Sequence, residues 1–300
     1  FVGTYDARLG SDRVNPDGLS INGKLAELIE AGRNGEVDQI IIALPQSADQ
    51  RMAMIAAKLE QLPVSIHMVT HIASDLVEAG PAHKVSSLGT VGLLDVKDKP
   101  LADWAPVVKR IEDYALGMIL LVVTLPLFAV IALAVRIESH GPILFRQRRH
   151  GLNKKVIEVL KFRTMKVLED DESLEQARDN DPRMTWVGWF LRRTSLDELP
   201  QLFNVLRGEM SLVGPRPHAL VHDEQWGEMV ERYSNRHQVK PGITGLAQVN
   251  GFRGEMKSSD QLKARVEHDL AYIRGWSLGL DLEILGRTVL TVVGGNKNAK

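Results

Sequence analysis

The stretch Leu191-Arg-Arg-Thr-Ser-Leu-Asp-Glu-Leu-Pro-Gln-Leu-Phe-Asn-Val-Leu206 places two adjacent carboxylates, Asp197 and Glu198, behind two arginines, Arg192 and Arg193. Leu199, Leu202, Phe203 and Leu206 follow helical spacing, so one face of the segment is expected to be buried. Ser195-Leu-Asp-Glu198 also matches a capping box, in which Glu198 does no more than bond back to the Ser195 amide. On that reading Pro200 is the fifth helical residue and denies the Leu196 carbonyl its partner. A helix starting at Asp197 puts Pro200 in the first turn instead, where proline is tolerated, and stands both carboxylates at a positive helix terminus, about 100° apart. Carboxylates so placed can serve different functions on one bound anion, with a metal reconciling them to a phosphate.

Other residue types suggest further chemistry. Gly214-Pro-Arg-Pro217 fixes Arg216 between two prolines, preorganised for a bidentate oxygen contact, although a stiff turn with a solvent arginine is equally common. Lys240-Pro-Gly-Ile-Thr-Gly-Leu-Ala-Gln248 is turn-rich, and its glycines would let backbone amides approach a ligand. His218 and His222 have the i, i+4 spacing of a zinc pair, without a third ligand nearby. Asp179-Asn-Asp181 has the D-x-D form with which many nucleotide-sugar glycosyltransferases hold a metal, in an acidic region where such a tripeptide arises readily by chance. Glu169-Asp-Asp-Glu172 reads as a solvated loop. There is no P-loop and no G-x-S-x-G. The absence of cysteine removes thiol nucleophiles, disulfides and zinc–thiolate sites.

Ahead of these residues lies an apolar segment. From Tyr114 through Val135 there is no charge, 22 residues or about 33 Å of helix, enough to span a bilayer. Pro126 at its middle removes a backbone hydrogen bond and kinks the helix. Positive charge stands at both ends: Lys109 and Arg110 before, Arg136, Arg146, Arg148, Arg149, Lys154 and Lys155 after. A spanning helix carries that excess on one side only. The pattern therefore favours a re-entrant hairpin that enters and leaves by the cytoplasmic face over a plain transmembrane helix. The window Arg136 to Lys166 has 9 basic and 2 acidic residues, net +7, suited to anionic lipid headgroups and phosphorylated ligands. Only Phe145 and Phe162 interrupt the basic residues, with no aromatic repeat or recognition-helix pattern, so nucleic acid is not an expected partner.

Residues 1 to 95 alternate between strand-like and helical patterns: an apolar opening at Phe1 and Val2, a helix over 24–31, a strand over 37–44 stopped by Pro45, a helix over 49–62 and a strand over 64–69. This predicts a parallel sheet covered on both faces. No G-x-G-x-x-G occurs, since Gly3 and Gly10 are too far apart, so a regulatory or packing domain is expected there rather than a nucleotide site. Residues 84–103 lose periodicity and read as a linker. The chain opens on Phe1 without an initiator Met or signal region and reads as a fragment or processed product.

In all, 300 residues with 37 Lys+Arg, 38 Asp+Glu and 44% hydrophobic side chains are globular in composition; a disordered tail, a collagen-like repeat and a polytopic membrane protein are excluded, and two domains fit the length. The net charge of −1 is a cancellation. Residues 1–108 carry 9 basic and 14 acidic side chains, the remainder 28 and 24.

Several motifs occur in one order: Lys109-Arg110, Gly141-Pro142, Phe145-Arg-Gln147, Lys161-Phe-Arg-Thr-Met165, Asp181-Pro-Arg-Met-Thr185, Ser195-Leu-Asp-Glu-Leu-Pro-Gln201, Gly208-Glu-Met-Ser-Leu-Val-Gly-Pro-Arg-Pro217, Pro241-Gly-Ile-Thr-Gly245, Gln248-Val-Asn-Gly251, and Trp276-Ser277 before Asp281. Over residues 109 to 296 the chain thereby resembles the polyprenyl-phosphate (undecaprenyl-phosphate) hexose-1-phosphate transferases, large monotopic phosphoglycosyltransferases of the bacterial sugar transferase type. One departure is that the family's re-entrant helix commonly breaks at Ser-Pro, whereas Leu125 precedes Pro126 here and Thr124 is the nearby hydroxyl.

The resemblance implies an α/β fold: a partial Rossmann-like domain over 1–95, a linker over 96–108, a re-entrant membrane helix hairpin over 109–140 broken at Pro126, and a mainly helical α/β catalytic domain over 141–300. It implies Asp197 as nucleophile, Glu198 as ligand of Mg2+, and Lys161, Arg163, Arg192 and Arg216 as substrate-binding cations, Arg216 at the nucleotide end. Attack on a UDP-sugar would release UMP and leave a phosphosugar on Asp197, which polyprenyl phosphate would take up in the first membrane step of exopolysaccharide or O-antigen synthesis. Arg216-Pro-His218 and Arg236-His237 resemble glucose-transferring members. The implied partners are a UDP-sugar, polyprenyl phosphate, membrane lipids and a second copy of the chain, at the cytoplasmic face of a bacterial inner membrane. Two other readings are a metal-dependent glycosyltransferase using Asp179 and Asp181 and releasing UDP, and a membrane scaffold without chemistry.

Overall fold

The computed structural model describes residues 1–6, 21–44, 49–70, 85–88, 91–166, 181–254 and 258–293; the acidic run 169–172 and Asp179 lie outside them. The chain divides into two compact units, Phe1–Ala102 and Asp103–Lys300.

The first unit contains β1 (Thr4–Tyr5), β2 (Ile21–Gly23), α1 (Leu25–Asn34), β3 (Gln39–Ile42), α2 (Asp49–Leu59), β4 (Ser65–Thr70), β5 (Val85–Leu88) and β6 (Val91–Lys97). Phe1 and Val2 are exposed and precede the first strand. α1 starts where the Glu27 carboxylate accepts from the Lys24 amide at 2.9 Å, and it stops at Gly35, whose φ of 77° glycine adopts at little cost. Along β3, Ile40 and Ile42 enter a core with Leu28, Leu59, Leu62, Val64 and Ile66, while Ile41 is exposed. One face of this strand is therefore covered rather than both, as its period of two requires.

β3 and β4 pair in parallel, but the sheet is mixed: its order is β3-β4-β6-β5, and β6 runs antiparallel to both neighbours. The β5–β6 hairpin occupies the stretch expected to be a linker. Backbone pairing needs no side-chain alternation, and Leu93 is the one fully buried residue of β6, so the strand leaves little periodic trace. The connection expected over 96–108 is correspondingly short, from Lys97 to a helix that begins at Ala105.

The second unit opens with α3 (Ala105–Glu138), a continuous helix of 34 residues with Pro126 inside it. Where a helical hairpin was expected over 109–140, a single helix carries the proline, which removes one backbone bond without ending the helix. Among the described residues this is the one helix long and apolar enough to cross a membrane. Met118, Ile119, Val122, Val123 and Leu125 at its middle are exposed. Both ends pack on the same unit. Asp113 accepts from the Ser211 hydroxyl and the Leu212 amide, each at 2.9 Å, while Phe128 sits 5.4 Å from Phe162 and 5.6 Å from Phe203 between ring centroids. Lys109 is buried and paired with Asp281 at 2.7 Å and Asp113 at 3.1 Å, so it is no free basic flank; Arg110 alone has that role before the apolar run.

β7 (Leu144–His150) and β8 (Val156–Phe162) form an antiparallel pair with Phe145 opposite Lys161. Then come α4 (Trp186–Thr194), α5 (Gln201–Leu206), β9 (Ser211–Val213), α6 (Leu220–Met229), β10 (Gly242–Thr244), α7 (Leu246–Val249), α8 (Ser259–Arg274) and α9 (Leu278–Val293). β9 and β10 pair in parallel. Asn204 ties α5 to β8 by accepting from the Leu160 amide at 3.0 Å and donating to the Glu158 carbonyl at 2.7 Å.

Candidate active site

The carboxylate pair is delivered by α4. Thr185 caps this helix by accepting from the Gly188 amide at 2.9 Å, and Glu138, the last residue of α3, accepts from the Trp186 and Val187 amides at 2.6 and 2.9 Å. α4 also lies hard against the end of β8: a Cβ on Gly188 would stand 2.0 Å from the Thr164 carbonyl oxygen. The helix ends at Ser195, which takes a left-handed φ of 61°, and a single 3-10 turn, Leu196–Glu198, follows before Pro200 leads into α5. Both expected helix starts are thus corrected. Ser195 closes the preceding helix and so cannot hold the extended N-cap geometry of a capping box, and the new helix begins at Gln201, not Asp197. Pro200 stands just outside it, where its missing N–H costs nothing.

Glu198 is buried under cations. Arg216 donates through Nη1 to Oε2 at 3.1 Å and through Nη2 to Oε1 at 2.6 Å, Lys161 donates to Oε1 at 2.9 Å, and Arg253 Nη2 lies 3.5 Å from Oε2. Burial pushes the Glu198 carboxyl up, but Arg216, Lys161 and Arg253 outweigh it and hold the group well below the usual carboxylate range. Asp197 differs. Its carboxylate has no hydrogen bond to a described residue, and burial first, then the neighbouring Glu198 charge, raise its pKa; Lys161, Arg192 and Arg216 pull the other way without restoring it. Two adjacent carboxylates thus have opposite environments, which is how one site separates roles between like groups. Burial lowers the Lys161 ammonium despite Glu198, while Glu198 more than offsets burial at Arg216 and raises it.

Of the expected cations, Lys161 and Arg216 meet at Glu198, and Arg192, itself exposed, acts on Asp197 through space. Arg163 is not brought to the carboxylates: it is buried, and its Nη2 donates to the Ser139 carbonyl and hydroxyl at 2.7 and 2.9 Å, at the end of α3. Two further cations near the pair were not among the expected substrate-binding set. Arg253 follows the Gln248-Val-Asn-Gly251 motif by two residues, a spacing that could have marked it. Arg149 on β7 is pushed down to about 10 by burial and by Arg216.

The remaining candidates have other employment. His218 is buried, with Nδ1 2.6 Å from the Tyr233 hydroxyl, and burial and Arg236 hold its pKa well below normal; His222 stacks on Trp226. They do not form a zinc pair, and among the described residues no three His, Asp or Glu converge to hold a metal. Asp181 accepts from Arg183 at Nε, 3.0 Å, and Nη2, 2.8 Å. Glycines of the 240–248 loop serve backbone contact: the Gly242 amide donates to the Pro215 carbonyl at 3.0 Å, and a Cβ there would lie 2.1 Å from the Gly214 nitrogen. The donor set suits magnesium, which one or two carboxylates hold together with substrate phosphates. Glu198 is the carboxylate that would take part in holding it; its oxygens are held here by Arg216, Lys161 and Arg253.

Comparison with known proteins adds to this geometry. The bacterial sugar transferase family model matches residues 104–295, and a CoA-binding domain model matches residues 1–70. The chain is 43% identical over 289 residues, 96% of its length, to the UDP-glucose:undecaprenyl-phosphate glucose-1-phosphate transferase of Klebsiella pneumoniae, and covers 59% of that protein. It is 41% identical over 298 residues, 98% of its length, to the protein of the same name from Xanthomonas campestris pv. campestris, covering 60% of it. The exopolysaccharide production protein PSS of Rhizobium leguminosarum bv. phaseoli is 43% identical over 189 residues, 62% of this chain and 94% of that one.

Proposed function

The chain belongs to the bacterial sugar transferase family, and from that premise we propose that it transfers a hexose 1-phosphate, glucose 1-phosphate, from a UDP-sugar to a polyprenyl phosphate and releases UMP. The observation that carries this is the contrast between Asp197 and Glu198. Glu198 is saturated by Arg216, Lys161 and Arg253, whereas Asp197 is buried with no hydrogen bond from a described residue. A carboxylate stripped of donors is a stronger nucleophile, and cations beside it neutralise the diphosphate it must approach. Asp197 attacks the β-phosphorus; the bond to the bridging oxygen breaks, UMP leaves with that electron pair, and an aspartyl phosphosugar remains. A phosphate oxygen of the polyprenyl phosphate then attacks the same phosphorus, and the Asp197 carboxylate leaves. Glu198 would be the carboxylate that holds magnesium, and the ion would supply further charge neutralisation for the diphosphate.

The lipid substrate explains the apolar helix. α3 has its bare middle flanked by two regions that pack on one unit, which supports a re-entrant, monotopic placement with the site on the cytoplasmic face, where nucleotide sugars are made. Residues 1–95 are read as the later half of a Rossmann-like domain, supported by the parallel β3–β4 pair. Incubating the purified chain with magnesium, polyprenyl phosphate and a panel of UDP-sugars tests the proposal. UMP as product, greatest with UDP-glucose, is expected; UDP as product favours the D-x-D glycosyltransferase reading, and no nucleotide release favours a scaffold.

A further inference from the structure

A turn built from prolines has few backbone handles. In Pro215-Arg216-Pro217 two of the three residues lack an N–H, so the turn is located through its carbonyls. The Gly242 amide takes the Pro215 carbonyl at 3.0 Å, Arg236 Nη2 takes that of Arg216 at 2.8 Å, and Arg149 takes that of Pro217. Arg149 also lies in the charge field of Glu198 and Arg216, so a substitution there would act in two ways. Arg236 is the cleaner case. It is 3% exposed, and its contacts are with Asp269, Tyr233, His218 and the Arg216 carbonyl; neither Asp197 nor Glu198 is among them.

Asp269, on α8, accepts from Arg236 Nε at 3.2 Å and Nη2 at 2.7 Å, and the guanidinium lies 5.2 Å over the Tyr233 ring. The same Nη2 therefore bridges α8 to the backbone of the proline turn. A lysine could not do this, because the planar fork must meet the carboxylate and the carbonyl at once. We infer that Arg236, held by Asp269, is a positioning residue for Arg216: it sets where the Arg216 fork stands on Glu198 and hence on the nucleotide end of the donor. The inference rests on the phosphosugar-transfer reading, since that reading assigns Arg216 to the donor. A fork displaced by about 1 Å can cost up to about 100-fold in rate.

The test is a double-mutant cycle on the full chain, reading UMP release from UDP-glucose with polyprenyl phosphate as acceptor. Arg236→Lys is expected to lower kcat/KM for UDP-glucose about 10-fold or more in the parent and no more than about 2-fold in an Arg216→Lys background, with KM for polyprenyl phosphate unmoved. Losses that multiply across the two backgrounds, or a raised KM for the lipid, overturn the inference and mark Arg236 as merely structural. Should Arg236→Lys fail to fold, Asp269→Asn, which keeps one acceptor, is expected to show the same non-additivity with Arg216→Lys at smaller size, and additivity there overturns it equally. A parent chain that releases no UMP sinks the activity reading and this inference with it, whereas UMP release with multiplicative losses sinks this inference alone.

Discussion

Arg216 meets Glu198 fork to fork, Nη1 to Oε2 at 3.1 Å and Nη2 to Oε1 at 2.6 Å, beneath a second contact from Lys161. The pairing depresses the folded-state pKa of Glu198 well below its unfolded value. Its stabilising contribution is therefore complete above pH about 4.3 and is lost as the pH falls towards the folded value. Glu198→Gln leaves three part-buried cations, Arg216, Lys161 and Arg253, without that counter-charge and is expected to cost about 3 kcal/mol at pH 7. Denaturant unfolding of the variant at pH 7 checks the figure; a loss under about 1 kcal/mol overturns the account.

Asp197 has the opposite sign. Its pKa is raised on folding, by burial and then by Glu198, so ionised Asp197 costs stability once the pH has risen through that value. Asp197→Asn is accordingly expected to match or exceed the parent in Tm at pH 7, while turnover and the radiolabelled phosphosugar adduct disappear. An adduct that survives in the variant removes Asp197 as nucleophile, and a markedly lower Tm removes the electrostatic account.

Of the cations that oppose the raised pKa of Asp197, Lys161 acts most strongly. Replacing it with Met should move the acid limb of adduct formation to higher pH, because the attacking carboxylate is then ionised only in more alkaline solution. Rapid-quench adduct yields measured across a pH series in parent and variant read the limb directly. An unmoved limb separates Lys161 from the nucleophile.

Gly188 tests the path from β8 to the carboxylates. A methyl group there would meet the Thr164 carbonyl oxygen at 2.0 Å, and that oxygen also accepts from the Thr185 amide at 3.1 Å, so it cannot simply swing away. Gly188→Ala is expected to destabilise the chain by about 2 kcal/mol or more and to slow adduct formation, because α4 must shift and Asp197 shifts with it. Calorimetry together with the single-turnover rate checks both effects; a variant with parental values of each overturns the coupling.

How far these relationships could be read from residues alone depends on their range. Asp197, Glu198, Lys161 and Arg216 fall within ordered motifs, and the carboxylate pair is visible as soon as the stretch is read. Arg163 shares the Lys161-Phe-Arg-Thr-Met165 motif through which the resemblance implies both cations, yet Lys161 lies inside β8 while Arg163 follows its end, so the strand's period of two no longer fixes its direction. Arg253 reaches Glu198 from 55 residues away, and its place two residues after Gln248-Val-Asn-Gly251 is the one local sign of it. The left-handed Ser195 is a non-glycine in a glycine conformation, which propensity argues against and tertiary packing imposes. Lys109 looked like a membrane-flanking charge because its partner, Asp281, stands far along the chain.

That last pairing bears on the membrane. Asp113 is bonded to Ser211 and Leu212, and Phe128 touches Phe203, so two points of α3 on either side of its exposed middle are fastened to residues 203–212 of one unit. Asp113 and Phe128 are 15 residues apart, about 22 Å of helix, so a crossing with Asp113 at one face would draw Phe203 and its neighbours into the roughly 30 Å of hydrocarbon. Both flanks should therefore open to the same side. The chain has no cysteine, so Ile111→Cys and Ile137→Cys, at positions 63% and 76% exposed, each introduce a unique thiol. In sealed inverted inner-membrane vesicles a membrane-impermeant maleimide is expected to label both without detergent. Labelling of one alone, with the other reached only after solubilisation, restores a spanning helix and requires the packing of Phe128 on Phe203 to be given up in the membrane.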